Sequence, residues 1–154
     1  LSADIAGFSR LMEQDEVGTL ERLKETFAGT FEPRVAAHGG RVVKFMGDAA
    51  LVEFASVVSA VRCALEVQAA IAEAEADEVD RLLFRMGVNL GDVIIEGEDI
   101  FGDGVNVAAR LQGLAAPGGV ALSRTVREEI VGKIEIEYYS IDDLDRIYEA
   151  IVKQ

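Results

Sequence analysis

Residues 41–54 set the tightest limit on the fold. Two short β-patterned runs, Arg41-Val-Val-Lys-Phe45 and Ala49-Ala-Leu-Val-Glu-Phe54, flank the tight turn Met46-Gly47-Asp48 and predict a β-hairpin. A helical pattern lies on each side of it. Before it, Val17, Leu20, Leu23, Phe27, Phe31 and Val35 recur at three- and four-residue spacing, so a long helix is expected over about 16–37. Asp15 is placed to cap that helix, Pro33 to kink it and Gly39-Gly40 to stop it. After the hairpin, alanines with Val61, Leu65 and Ile71 predict a second helix over about 56–75. A first short strand ends near Asp4, so the chain opens with a split β-α-β unit. Strands about 83–89 and 93–96, joined through Leu90-Gly91-Asp92, come next. A third helix over about 104–114 is broken by Pro117-Gly118-Gly119, and short strands with one small helix complete the chain. The order β-α-β-β-α-β-β-α predicts an α+β, ferredoxin-like sandwich: an antiparallel sheet with helices mainly on one face. One domain spanning 1–154 is expected. Leu1 already lies inside a strand pattern, which suggests a domain cut from a longer chain.

Composition removes several function classes. Lys plus Arg number 15 and Asp plus Glu 28, a formal charge of −13, which argues against nucleic acid and anionic membranes as partners. No apolar run is long enough for a membrane segment and no secretory signal is present, so a cytoplasmic location is expected. Cys63 has no second cysteine to pair with and sits in an apolar run, as a small core residue does. A single histidine, His38, excludes His-rich zinc sites and leaves little room for a nucleophilic triad. GxxxxGK[ST] is absent, and Gly102-Asp-Gly104 lacks the third glycine of a dinucleotide fingerprint.

What remains is a set of polar residues at strand ends and on one helix. Asp4 closes the first strand and Asp48 sits in the hairpin turn; the split β-α-β topology makes those two elements neighbours. Two adjacent carboxylates repel unless a cation lies between them, and hard oxygen donors suit Mg²⁺ completed by substrate phosphate. Turn chemistry alone explains either aspartate taken singly, since Gly91-Asp92 and Gly102-Asp103 repeat the Gly-Asp pair. The backbone of Gly7-Phe8-Ser9, where a helix begins, can offer N–H groups to phosphates. Lys44 interrupts an apolar strand and must either snorkel outward or face a cleft. Asn106 and Arg110 share one helix face bordered by apolar residues, and an arginine so placed usually meets a carboxylate or a phosphate.

Asp4-Ile-Ala-Gly-Phe-Ser9, Gly40-Arg-Val-Val-Lys-Phe-Met-Gly-Asp48 and Asp99-Ile-Phe-Gly-Asp-Gly-Val-Asn-Val-Ala-Ala-Arg110 together resemble the class III adenylate/guanylate cyclase catalytic domain over about residues 1–130. The resemblance implies that Asp4 and Asp48 hold two divalent ions per site, Mg²⁺ or Mn²⁺, with help from the Ile5 carbonyl. It implies that Lys44 and Asp99 read the purine, Asn106 positions the ribose, Arg110 contacts the transferring phosphoryl group, and Gly7, Phe8 and Ser9 border the substrate. It further implies conversion of ATP to 3′,5′-cyclic AMP and pyrophosphate by a homodimer. Asp4 and Asp48 then come from one chain and the other four from its partner, with regulatory domains covalently linked outside this segment. The rivals are a guanylate cyclase on the same fold and a non-catalytic cyclase-like module that senses nucleotide or dimerises. A diguanylate cyclase fits less well, because the turn reads Met-Gly-Asp rather than Gly-Gly-(Asp/Glu)-Glu-Phe. The chain departs from the family at Tyr138–Tyr148, which runs straight through where a glycine turn and a Lys-Asn pair are usual.

Overall fold

The computed structural model describes residues 1–131 and 133, so the departure at 138–148 lies outside the described residues. The elements are β1 (Ser2–Ile5), α1 (Phe8–Gln14), α2 (Glu16–Thr26), a π-helical turn (Phe27–Phe31), α3 (Glu32–Ala37), β2 (Arg41–Met46) and β3 (Ala49–Glu53). They continue with α4 (Val57–Ala74), β4 (Phe84–Val88), β5 (Ile94–Glu96), β6 (Asp99–Phe101), α5 (Asp103–Leu114), β7 (Val120–Leu122) and α6 (Arg124–Ile130).

The main sheet has the order β2-β3-β1-β4-β7. β1 and β2 are the two strands of the split unit, with β3 inserted between them and antiparallel to both. β4 is antiparallel to β1, as expected. β7 lies parallel to β4, so the sheet is mixed rather than wholly antiparallel. The reason is topological: α5 carries the chain back along the sheet, and a return through a helix delivers a parallel strand.

Phe84, Met86 and Val88 of β4, Ala3 and Ile5 of β1, and Val52 of β3 face a core closed by residues of α1 to α4 and α6, with Phe31 and Leu82 fully buried in it. Among the described residues, α5 alone packs on the opposite face, through Leu111 and Ala115 against Ala121 of β7. Gly87 permits that contact. A Cβ there would lie 2.3 Å from the Ala108 carbonyl oxygen and 2.4 Å from the Gln112 nitrogen, so only glycine lets the helix backbone come this close.

The segment 16–37 is helical throughout, but not one uniform α-helix. Asp15 caps α2, accepting the Gly18 N–H at 3.0 Å. Leu23, Phe27, Phe31 and Val35 are all buried at strict four-residue spacing, whereas four residues of α-helix overshoot a turn by about 40°. The wide π turn at 27–31 takes up that drift and keeps all four on the sheet. It also leads directly into the first turn of α3, where Pro33 sits. Val17 is exposed; Thr19 is buried in this helix, its hydroxyl donating to the Leu11 carbonyl at 3.1 Å. Cys63 is buried in the core as expected, and burial pushes its thiol up to about 12.

One strand pairing differs from expectation. Residues 94–96 do not follow on from β4 in the sheet; they pair with 99–101 in a separate hairpin across Gly97-Glu98. Gly97, at φ 62, adopts the left-handed conformation that a two-residue turn requires.

Candidate active site

The side chains of the open sheet face are fixed by register. Residues directly opposite in an antiparallel pair point to the same side. Asp4 stands opposite Arg85 and Ser2 opposite Gly87, so all four face the α5 side. Ser2 confirms this by donating its hydroxyl to Gln112 of α5 at 2.6 Å. Lys44 reaches the same side only through an irregularity. Val42 pairs with Val52, but Lys44 pairs with Leu51, so an extra residue bulges at Val43. A straight ladder would set Lys44 opposite Ala50, whose side chain is in the apolar core. The bulge thus settles whether Lys44 snorkels or faces a cleft: its ammonium lies on the open face.

Asp4 and Asp48 are brought together, as expected. Asp48 accepts the Ile5 N–H at 3.0 Å, which pins the hairpin turn to the end of β1. Arg85 donates to both oxygens of Asp4, Nε at 2.9 Å and an Nη at 2.5 Å. The Asp4 hydrogen bond, more than the charge of nearby Asp48, raises the Arg85 guanidinium further above its ordinary range. A cation therefore already stands where two carboxylates converge, which is the electrostatic requirement a divalent ion would meet. The donor set consists of hard oxygens, fit for Mg²⁺ or Mn²⁺. Among the described residues no cluster of three or more His, Cys, Asp or Glu side chains can hold a metal. Any ion here needs backbone carbonyl or ligand oxygens besides Asp4 and Asp48.

Arg85 was not singled out by sequence reasoning. The signal was present: like Lys44, it is the lone charge in an apolar strand, Leu82-Leu-Phe-Arg-Met-Gly-Val88.

Lys44 donates to Asp99 at 3.0 Å, and its ammonium lies 5.5 Å from the centre of the Phe101 ring. The second Asp99 oxygen accepts the Ile100 N–H at 2.8 Å. The Lys44 hydrogen bond, chiefly, holds the Asp99 carboxyl below its usual range. Both groups are about one-third exposed, so each retains capacity for a ligand. Gly7, at φ 65, turns the chain into α1, and no side chain caps that helix. Phe8 packs on the core, while the first-turn amides of Phe8 and Ser9 have no partner within the helix. Asn106 and Arg110 are exposed on α5, opposite buried Ala108 and Leu111.

The six polar positions thus form three groups: Asp4 with Asp48, Lys44 with Asp99, and Asn106 with Arg110. Among the described residues no hydrogen bond or ion pair joins one group to another. Exposed apolar residues accompany them: Met46, Val93, Ile94, Ile95 and Phe101 are all exposed by 40% or more.

The model of the adenylate and guanylate cyclase catalytic domain matches residues 1–147. A protein of Rhizobium meliloti (strain 1021) named "Putative adenylate cyclase 3" is 46% identical over 153 residues, covering 95% of this chain and 26% of its own length. An adenylate cyclase of Streptomyces coelicolor is 34% identical over 129 residues, covering 84% of this chain and 33% of its own. This chain therefore spans about a quarter to a third of these relatives. The crystal structure titled adenylate/guanylate cyclase/hydrolase from Silicibacter pomeroyi superposes with a TM-score of 0.83 at 39% identity, over 91% of this chain and 83% of that one. Sequence and fold agree, and the chain belongs to the adenylate and guanylate cyclase catalytic domain family.

Proposed function

We propose that this domain converts ATP to 3′,5′-cyclic AMP and pyrophosphate at two equivalent sites shared across a homodimer. The observation that carries the reading is the incompleteness of one chain: three polar groups on one apolar-rimmed face, none joined to another. A two-fold partner completes them, Asp4 and Asp48 of one protomer meeting Lys44, Asp99, Asn106 and Arg110 of the other. The exposed apolar residues around them suit burial at such an interface.

In this reading, Gly7, Phe8 and Ser9 border the triphosphate, and the backbone amides of Phe8 and Ser9 point toward it. Asp4, Asp48 and the Ile5 carbonyl would hold Mg²⁺ or Mn²⁺, two ions per site, which lower the pKa of the ribose 3′-hydroxyl and neutralise charge on the leaving pyrophosphate. Asn106 orients the ribose so that its 3′-oxygen is in line with the α-phosphate. Arg110 stabilises the charge that gathers on the phosphoryl oxygens as the bond to pyrophosphate breaks. Lys44 donates to adenine N1 and Asp99 accepts from the N6 amino group. Guanine reverses both positions, so ATP should be preferred over GTP by at least tenfold in kcat/KM, about 1.4 kcal/mol.

Complementation tests the shared site. Asp48→Ala and Arg110→Ala should each be nearly inactive as homodimers. In a mixed dimer both defects fall in one site, so random equimolar exchange should return about a quarter of wild-type sites. No recovery after verified subunit exchange would show that each chain builds its own site. Equal or better use of GTP by the unmodified protein would remove the adenine assignment.

A further inference from the structure

The β5–β6 hairpin carries Asp99 yet lies outside the main sheet. A two-stranded hairpin is marginal by itself, and Ile94 and Ile95 of β5 are 60% and 66% exposed, so its own packing does little to fix it. Its links to the body are few. Ile100 is buried, Lys44 meets Asp99, and Arg41 donates an Nη hydrogen to the Glu98 carbonyl at 2.9 Å. That last contact lies one residue from Asp99.

Arg41 is itself held. Its Nε donates to Glu53 at 2.5 Å, and Glu53 is its direct cross-strand neighbour. The Arg41 and Glu53 side chains are 42% and 33% exposed, and an ion pair so exposed contributes little to stability. Geometry is the better account of it. Glu53 takes one edge of a rigid guanidinium fork and thereby aims another at Glu98. Arg41 and Lys44 flank the bulge at Val43, so both ends of one irregular strand segment reach the same hairpin.

We propose that Arg41, oriented by Glu53, is a positioning residue that clamps the β5–β6 hairpin to β2 and so sets the Lys44–Asp99 pair for reading the purine. The proposal deepens the base-recognition reading above and rests on it. Arg41 touches no substrate; it acts through Asp99.

The test compares Arg41→Gln, Glu53→Gln, their double variant and Arg41→Lys with Lys44→Ala and Asp99→Ala, all in the intact protein. Two readouts are taken: kcat and KM with ATP and with GTP, and amide hydrogen exchange over residues 97–101. Arg41→Gln should raise KM for ATP about five- to tenfold, leave kcat within twofold, and lower the ATP-to-GTP ratio of kcat/KM. Exchange at Ile100 and Phe101 should quicken while β3 and β4 stay protected. Glu53→Gln should act in the same direction and more weakly, adding nothing to Arg41→Gln in the double variant. Arg41→Lys should recover part of the loss, since one donor can still reach Glu98. Unchanged exchange at 97–101 in Arg41→Gln would overturn the clamp. Faster exchange with an unchanged nucleotide ratio would overturn its role in recognition. If Lys44→Ala and Asp99→Ala themselves leave that ratio unchanged, the base-recognition reading fails, and the recognition part of the proposal fails with it. The exchange data then still decide whether the clamp exists.

Discussion

Adding one methyl group at Gly87 should damage both stability and catalysis. The Gly87→Ala Cβ would lie 2.3 Å from the Ala108 carbonyl oxygen, 2.4 Å from the Gln112 nitrogen and 2.9 Å from the Leu111 Cβ. The first two are helix backbone and cannot swing aside, so α5 must retreat from β4 by roughly 1 Å to restore ordinary contact distances near 3.5 Å. Overpacking of this kind costs about 1–3 kcal/mol. The retreat also strains the 2.6 Å hydrogen bond from Ser2 to Gln112, worth about 1 kcal/mol. A total near 3 kcal/mol corresponds to a fall of about 6–12 °C in Tm for a domain of this size. The same displacement carries Asn106 and Arg110, and a 1 Å misplacement of positioning groups can cost about 10²-fold in rate. Thermal melts at fixed protein concentration and cyclase assays at a temperature where the variant stays folded measure the two effects separately. Gly113→Ala is the control: nothing lies within 4 Å of its added Cβ, so a gain of about 0.5–1 kcal/mol from helix propensity is expected. A Gly87→Ala protein that melts within about 1 °C of wild type and keeps its turnover would refute the close-approach argument.

Three further outcomes are expected. Arg85→Gln removes the cation beside Asp4 and Asp48, so in EDTA the protein should lose about 1–2 kcal/mol, a buried-pair penalty discounted for partial exposure, and Mn²⁺ should restore Tm; equal melting in EDTA would show that the pair contributes nothing. Cys63 should resist iodoacetamide at pH 8 in the native state, because burial raises its thiol from 9.0 to about 12; that stabilisation is present below pH 9 and is lost progressively as pH rises toward 12, and alkylation without unfolding would contradict it. Asp99 has its folded pKa depressed below 3.8, so its contribution is present above that value and lost as pH falls below it; an NMR titration should place its midpoint under 3.8 in the wild type and higher in Lys44→Ala.

The sequence was most legible where local chemistry and tertiary demand coincide. Asp15 at the start of α2 and the Met46-Gly47-Asp48 turn follow from capping and turn rules, and the structure places each as expected. Proximity of Asp4 to Asp48 followed from topology alone. The π turn at 27–31 was hidden, because four-residue spacing looks like an ordinary amphipathic helix unless its angular drift is followed over several turns. β6 was hidden because three residues with one buried side chain, Ile100, carry too little pattern to distinguish from a loop. Arg85 went unrecognised because the fold, rather than the spacing along the chain, sets it opposite Asp4.

The bulge at Val43 leaves one residue of β2 without a partner between two fixed pairs, Val42 with Val52 and Lys44 with Leu51. A point substitution of Val43 by another β-branched residue leaves the ladder count intact and should be tolerated. Loss of that single codon would remove the unpaired residue and leave Val42 opposite Val52 and Lys44 opposite Leu51 in a regular ladder, so the ammonium should stay on the open face. In a lineage accumulating small insertions and deletions, β2 should therefore tolerate loss of a residue at Val43, whereas a deletion between Lys44 and Asp48 would shift its register against β3.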